Sequence, residues 1–133
     1  MLGSSPAFSG YSAPADGIDA CRRFYGEVLG LSVDDSMGGL GLRFGNGQQV
    51  FIYPKPNHQP ATFTVLNFPV DDLDTVVDDL TAKGVEFERY PGMDHEANGI
   101  VRSPSPEYGP DIAWFKDPAG NILSVLHSNR PES

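Results

Sequence analysis

The run Asp111–Leu126, DIAWFKDPAGNILSVL, leaves a chain few options. Two segments rich in aromatic and branched side chains, Asp111–Lys116 and Ile122–Leu126, flank Asp117, Pro118, Ala119, Gly120 and Asn121. Proline presets φ for a turn, glycine and asparagine accept positive φ, and aspartate bonds back to its own main chain. The run therefore predicts a β-hairpin whose strands bury at least one face.

Upstream, one order of elements occurs twice. Ala7–Ala13 reads as a strand. Ile18–Leu29 reads as a helix, with Ile18, Cys21, Tyr25, Val28 and Leu29 at helical spacing and Gly30 as its stop. Leu31–Ser36, Leu40–Phe44 and Gln49–Tyr53 read as strands, parted by Gly38-Gly39 and by Gly45-Asn46-Gly47. After Pro54–Pro60 the order returns. Thr62–Pro69 is a strand, Asp71-Asp72 caps a helix over Leu73–Lys83, and Val85–Tyr90 is a strand. A polar segment, Pro91–Gly109, leads into the closing hairpin. The repeat is one of pattern, since few letters match between the halves.

Size and charge narrow the function classes. At 133 residues the chain suits one ordinary domain with a core of its own. A single cysteine excludes an internal disulfide and any multi-cysteine metal site; Cys21 lies on the apolar stripe of the first helix. No apolar run approaches the ~18 residues needed to cross a bilayer. The N-terminus, MLGSSPAFSG, lacks the basic region and apolar core of a signal peptide, so a cytoplasmic protein is expected. A net charge of −9 disfavours nucleic acid and anionic membrane surfaces as partners. It suits a cationic ligand, although an acidic surface chiefly serves solubility.

Three phrases, in order and correctly spaced, resemble the vicinal-oxygen-chelate superfamily, which holds glyoxalases, extradiol dioxygenases and bleomycin-resistance proteins. They are RFYGEVLGL at Arg23–Leu31, VDDLDTVVDDLTAKGVEF at Val70–Phe87 and FKDPAGN at Phe115–Asn121. The resemblance implies an α+β fold of two βαβββ modules forming a curved mixed sheet. That sheet would cup a pocket, with the helices on its convex side. The modules fall at about 7–54 and 62–128 of a single domain, joined by a linker at 54–61. A homodimer is also implied by the resemblance.

Metal-dependent members of this family place ligands on the first and fourth strands of each module. Here those positions are Gly10, Phe51, Val65 and Ser124, none a good ligand for a divalent cation. His58, His95 and His127 fall in polar linker, loop and post-strand contexts and are expected to be exposed. The expectation is accordingly no metal and no cofactor.

Strand parity places Phe8, Ser12, Phe51, Tyr53, Phe63, Val65, Asn67, Trp114, Ile122, Ser124 and Leu126 on the concave face. Ser12, Phe51, Tyr53, Phe63, Asn67, Trp114 and Ser124 are the candidate ligand-binding residues. Aromatic walls with sparse hydrogen-bonding groups have the general form of a small-molecule site, and favour flat or cationic ligands. No catalytic residue is assigned, since no carboxylate falls on the strands expected to line the cup. The reading favours a metal-free binding protein that sequesters a partly aromatic ligand. The alternative is a glyoxalase- or dioxygenase-like lyase, isomerase or oxygenase with a non-standard or absent metal site. The segment Pro91–Gly109 is expected to be either a lid, with Tyr90, Arg102 or Tyr108 reaching the ligand, or a disordered insert.

Overall fold

The structure is a computed structural model that describes residues 2–45, 47–105, 107 and 109–128. Asn46 of the expected turn and Tyr108 of the expected lid lie outside the described residues. The fold is mixed α+β, with two small sheets of four and three strands and two helices. It divides between Pro60 and Ala61 into an N-terminal and a C-terminal module.

In the N-terminal module, β1 (Ser9–Ala13) is followed by α1 (Ile18–Arg23) and then β2 (Ser32–Ser36), β3 (Gly39–Arg43) and β4 (Gln49–Pro54). The sheet order is β1-β4-β3-β2, with β1 and β4 parallel and the other pairs antiparallel. Alternation along the strands turns Tyr11, Ala13, Leu40, Leu42, Val50 and Ile52 to the helix side, where they are buried with Cys21 and Tyr25. The Tyr11 and Tyr25 hydroxyls meet at 2.7 Å, so this core buries two polar tips against each other. The helix predicted over Ile18–Leu29 is not regular to its end. From Phe24 to Val28 it widens into a π-helical turn, in which the Leu29 amide donates to the Phe24 carbonyl. Leu29 is thereby displaced from the stripe that period 3.6 assigned it.

In the C-terminal module, β5 (Thr64–Val70) leads to α2 (Leu73–Ala82), then β6 (Ile112–Lys116) and β7 (Ile122–His127). The sheet order is β5-β7-β6, again one parallel and one antiparallel pair. Asp72 caps α2 by accepting from the Thr75 amide at 3.1 Å. Leu73, Val77 and Leu80 bury the inner face of α2, and Ala113, Phe115, Leu123 and Val125 the facing side of the sheet.

The turn Asp117–Asn121 forms the expected hairpin. The Asp117 carboxylate accepts from the amides of Ala119 and Asn121, both at 2.9 Å, and from the Asn121 side chain at 3.1 Å. Both side chains are buried, so the turn is an internal polar knot rather than a surface loop.

Two expectations are corrected here. Val85–Tyr90 is not a strand. It touches the sheet through one bridge, Phe87 to Phe115, and through the Glu88 amide, which donates to the Trp114 carbonyl. The segment Pro91–Gly109 is neither a free lid nor a disordered insert where it is described. Val101 bridges His95 and Ile112, and Ile100 is fully buried. Gly99 adopts φ +100°, and a Cβ there would stand 2.7 Å from that of Phe87, so only glycine allows this approach.

Candidate functional site

Each sheet has one face on its helix and one turned away from it. Register decides what the second face carries. In the N-terminal module, Gly10, Phe51, Gly41 and Asp34 form one row across β1, β4, β3 and β2. In the C-terminal module the corresponding row is Asn67, Ser124 and Trp114 across β5, β7 and β6. Glu88 stands next to Trp114 in that row, where Asp34 stands next to Gly41.

On the N-terminal face, Phe51 and Tyr53 lie two residues apart with ring centroids 6.1 Å apart. A Cβ on Gly39 would stand 3.2 Å from the Phe51 ring and 2.1 Å from the Ile52 carbonyl oxygen. A Cβ on Gly41 would stand 2.6 Å from Asp34 Oδ1. The glycines of β3 thus leave room for a ring and a carboxylate to lie flat against the sheet. Asp34 pairs with Arg43 through its other oxygen, while Oδ1 is buried with no partner among the described residues. A carboxylate therefore does lie on a strand of this face. The hairpin register, which pairs Asp34 with Gly41, decides which aspartate of β2 turns outward.

Ser12 is half-buried, and its Oγ lies 2.7 Å from His58 Nδ1. His58 reaches it because the Lys55 amide donates to the Ala13 carbonyl, carrying the chain after β4 back along β1. The expectation of exposed loop histidines fails for all three. His58 is held at Ser12, His127 is the last residue of β7, and His95 is held at both ring nitrogens.

On the C-terminal face, Trp114 is half-buried, as parity requires, while its neighbours Ala113 and Phe115 point into the core. Ser124 is fully buried and donates its hydroxyl to Asn67 Oδ1, and Asn67 itself is exposed. Phe63 does not join them. It precedes β5, is 67% exposed, and is separated from the paired register by an irregularity between Thr64 and Leu66. The irregularity takes Val65 out of the paired register and puts Asn67, rather than Leu66, opposite Ser124.

Tyr90, one of the three side chains expected to reach a ligand, stands against Trp114 and is joined there by His95, expected to be exposed. The Tyr90 ring centroid is 5.4 Å from that of Trp114, and the His95 ring 6.4 Å. His95 Nε2 accepts from the Tyr90 amide at 3.0 Å and Nδ1 lies 2.9 Å from the Gly99 carbonyl, which fixes the proton on Nδ1.

Arg102, expected to reach a ligand, is bound to three carboxylates instead: Asp74 at 2.6 Å, Glu96 at 3.1 Å and Asp111 at 3.3 Å. The hydrogen bonds that Arg102 donates to Glu96 and Asp74 push its already high pKa further up.

Gly10 and Phe51 are paired, whereas Ser124 is paired with Asn67 and not with Val65, the remaining position at which the resemblance implies a ligand. Gly10, Phe51, Ser124, Asn67 and Val65 offer a hydrogen, a phenyl ring, a hydroxyl, an amide and an alkyl group. Such a donor set does not fit a divalent cation, which calls for imidazole, carboxylate or thiolate. Among the described residues there is no group of three or more His, Cys, Asp or Glu side chains placed to hold one.

The chain matches the Glyoxalase/Bleomycin resistance protein/Dioxygenase superfamily over residues 10–125, and it belongs to that family. Solved structures share the fold. A glyoxalase family protein from Bacillus anthracis is 22% identical with a TM-score of 0.70, over 97% of this chain and 100% of that one. TnmS3, an antibiotic binding protein from Streptomyces sp. CB03234, is 20% identical with a TM-score of 0.64, over 95% and 98%. Lactoylglutathione lyase from Agrobacterium tumefaciens is 22% identical with a TM-score of 0.63, over 94% and 96%. None of the curated proteins matches the sequence. No helix among the described residues is long and apolar enough to cross a membrane.

Proposed function

We propose that this chain is a metal-free small-molecule-binding member of the family, sequestering a flat, partly aromatic ligand, and that it works in the cytoplasm as a homodimer. The observation that carries the reading is the pair of register-aligned rows. Where the resemblance implies ligating side chains, this chain has Gly10, Phe51, Val65 and Ser124, and Asn67 stands opposite Ser124. Rings border those positions: Phe51 and Tyr53 in one module, Trp114 in the other. Ser12, Asn67 and Ser124 add the few polar atoms such a site needs for orientation. Asp34 and Glu88 on the same faces, with a net charge of −9, suit a ligand bearing positive charge. The antibiotic-binding relative supports the class of function and does not name the ligand.

Elemental analysis and thermal shift test this together. The expected outcome is no stoichiometric metal, no ion-specific stabilisation, and a rise in melting temperature with planar aromatic compounds. Phe51→Ala would abolish that rise if the N-terminal face holds the ligand, and Trp114→Ala if the C-terminal face does. Stoichiometric nickel, zinc, manganese or iron in the purified protein would overturn the reading. Sedimentation equilibrium at twice the chain mass checks the dimer.

A second reading, an isomerase or lyase, draws on one specific observation. The 2.7 Å contact of Ser12 with His58 puts a general base beside Tyr53 on the N-terminal face. Turnover of a carbonyl substrate that is lost in His58→Gln would favour it.

A further inference from the structure

Tyr90 lies in the C-terminal module with a polar tip that the described residues leave unused. Its hydroxyl is buried, with no partner among the described residues. A buried hydroxyl without a partner is rare in folded proteins and asks for a reason. The nearest imidazole cannot supply the partner. His95 spends Nε2 on the Tyr90 amide and Nδ1 on the Gly99 carbonyl. Glu88 is committed to Lys116, 3.4 Å away. The ring itself is well fixed, edge-on to Trp114 at 5.4 Å and beside His95 at 6.2 Å.

Granting the small-molecule reading, we infer that Tyr90 is the hydrogen-bond donor of a ligand subsite beside Trp114, and that the group it meets is a neutral carbonyl on an aromatic ring system. Burial, and then the charge of Glu88, push the Tyr90 pKa up, so the phenol keeps its proton at neutral pH and acts as a donor. The same Glu88 charge works against a carboxylate or phosphate as the acceptor. The ring system follows from Trp114, whose half-buried indole offers stacking area next to the Tyr90 ring. A ligand would reach the hydroxyl by a local opening of the chain beside it. Pro91 to Asp94, the turn after Tyr90, is exposed throughout, so moving it uncovers no core.

The test compares 9-fluorenone with fluorene, which has the same rings and no carbonyl. Binding is read by quenching of Trp114, the only tryptophan, and by thermal shift. Wild type is expected to bind fluorenone about tenfold more tightly than fluorene, the effect of one satisfied buried hydrogen bond. Tyr90→Phe keeps the ring and removes the orphan hydroxyl. It should lower fluorenone affinity to that of fluorene while leaving the melting temperature of the free protein unchanged or raised. A merely structural hydroxyl would give the opposite pattern. Loss of stability with binding intact overturns the inference. Equal binding of both compounds, unaffected by Tyr90→Phe, also overturns it and leaves the small-molecule reading standing. No binding of either compound overturns the inference. If every planar compound in the wider panel fails as well, the reading beneath it falls too.

Discussion

The two modules solve one joint in opposite ways. In the N-terminal module, β2 passes to β3 through two residues, Met37 and Gly38, both with positive φ. That is the tight hairpin whose twist matches its strands, and the four-stranded sheet it closes is regular. In the C-terminal module, the same joint runs from Glu88 to Ile112, and the strand that should precede it shrinks to a single bridge. Ile100, Val101 and the Tyr90–His95–Trp114 cluster take up the space a fourth strand would have ordered. A short joint yields a sheet. A long joint yields a less regular edge, held by side chains, and that edge carries the unsatisfied hydroxyl.

The comparison is broken most directly at Ile100. If the long joint is a true part of the core, Ile100→Ala should cost about 2–5 kcal/mol in urea denaturation, as for other buried aliphatics. A cost near zero would make the segment the free lid that its composition suggests. The short joint is tested at Met37, which is 79% exposed and sits at φ 47°. Met37→Asn should raise stability by about 0.5–1 kcal/mol, because asparagine tolerates the left-handed region and no buried contact is lost. A loss would show that the thioether is held by something other than the turn.

The smallest effect separates the two helices. α1 begins at Gly17 with no side-chain cap, whereas α2 is capped by Asp72. The Thr75 amide and hydroxyl hold the Asp72 pKa below its ordinary value. A depressed carboxylate adds stability above its unfolded pKa, lost as pH falls through the lower folded value. Acid titration followed by circular dichroism should therefore show α2 losing its cap in that window. Asp72→Ala should flatten the acid limb of that curve, and an unchanged limb would rule the cap out as its source.

Much of this was legible in the sequence because it depended on local rules. The DPAGN turn, the glycine stops and the alternation of Val50, Phe51, Ile52 and Tyr53 each follow from backbone sterics or from a period of two. Nothing local announced the parity shift before Leu66, since an irregular residue looks like any other until its partner strand is known. Nor did anything local announce Asp34, whose outward side chain is set by pairing with Gly41.

The sequence by itself determined the two helices, most of the strands and three of the four aligned positions, Gly10, Phe51 and Ser124, because these rest on spacing along one chain. Tertiary structure alone decided that Ser12 meets His58 across 46 residues and that Ser124 meets Asn67 across 57. It also decided that Tyr90 stands against Trp114 with its hydroxyl unpaired. Those contacts depend on strand register and on where a long connection comes back to the sheet, neither of which is written in the spacing of side chains.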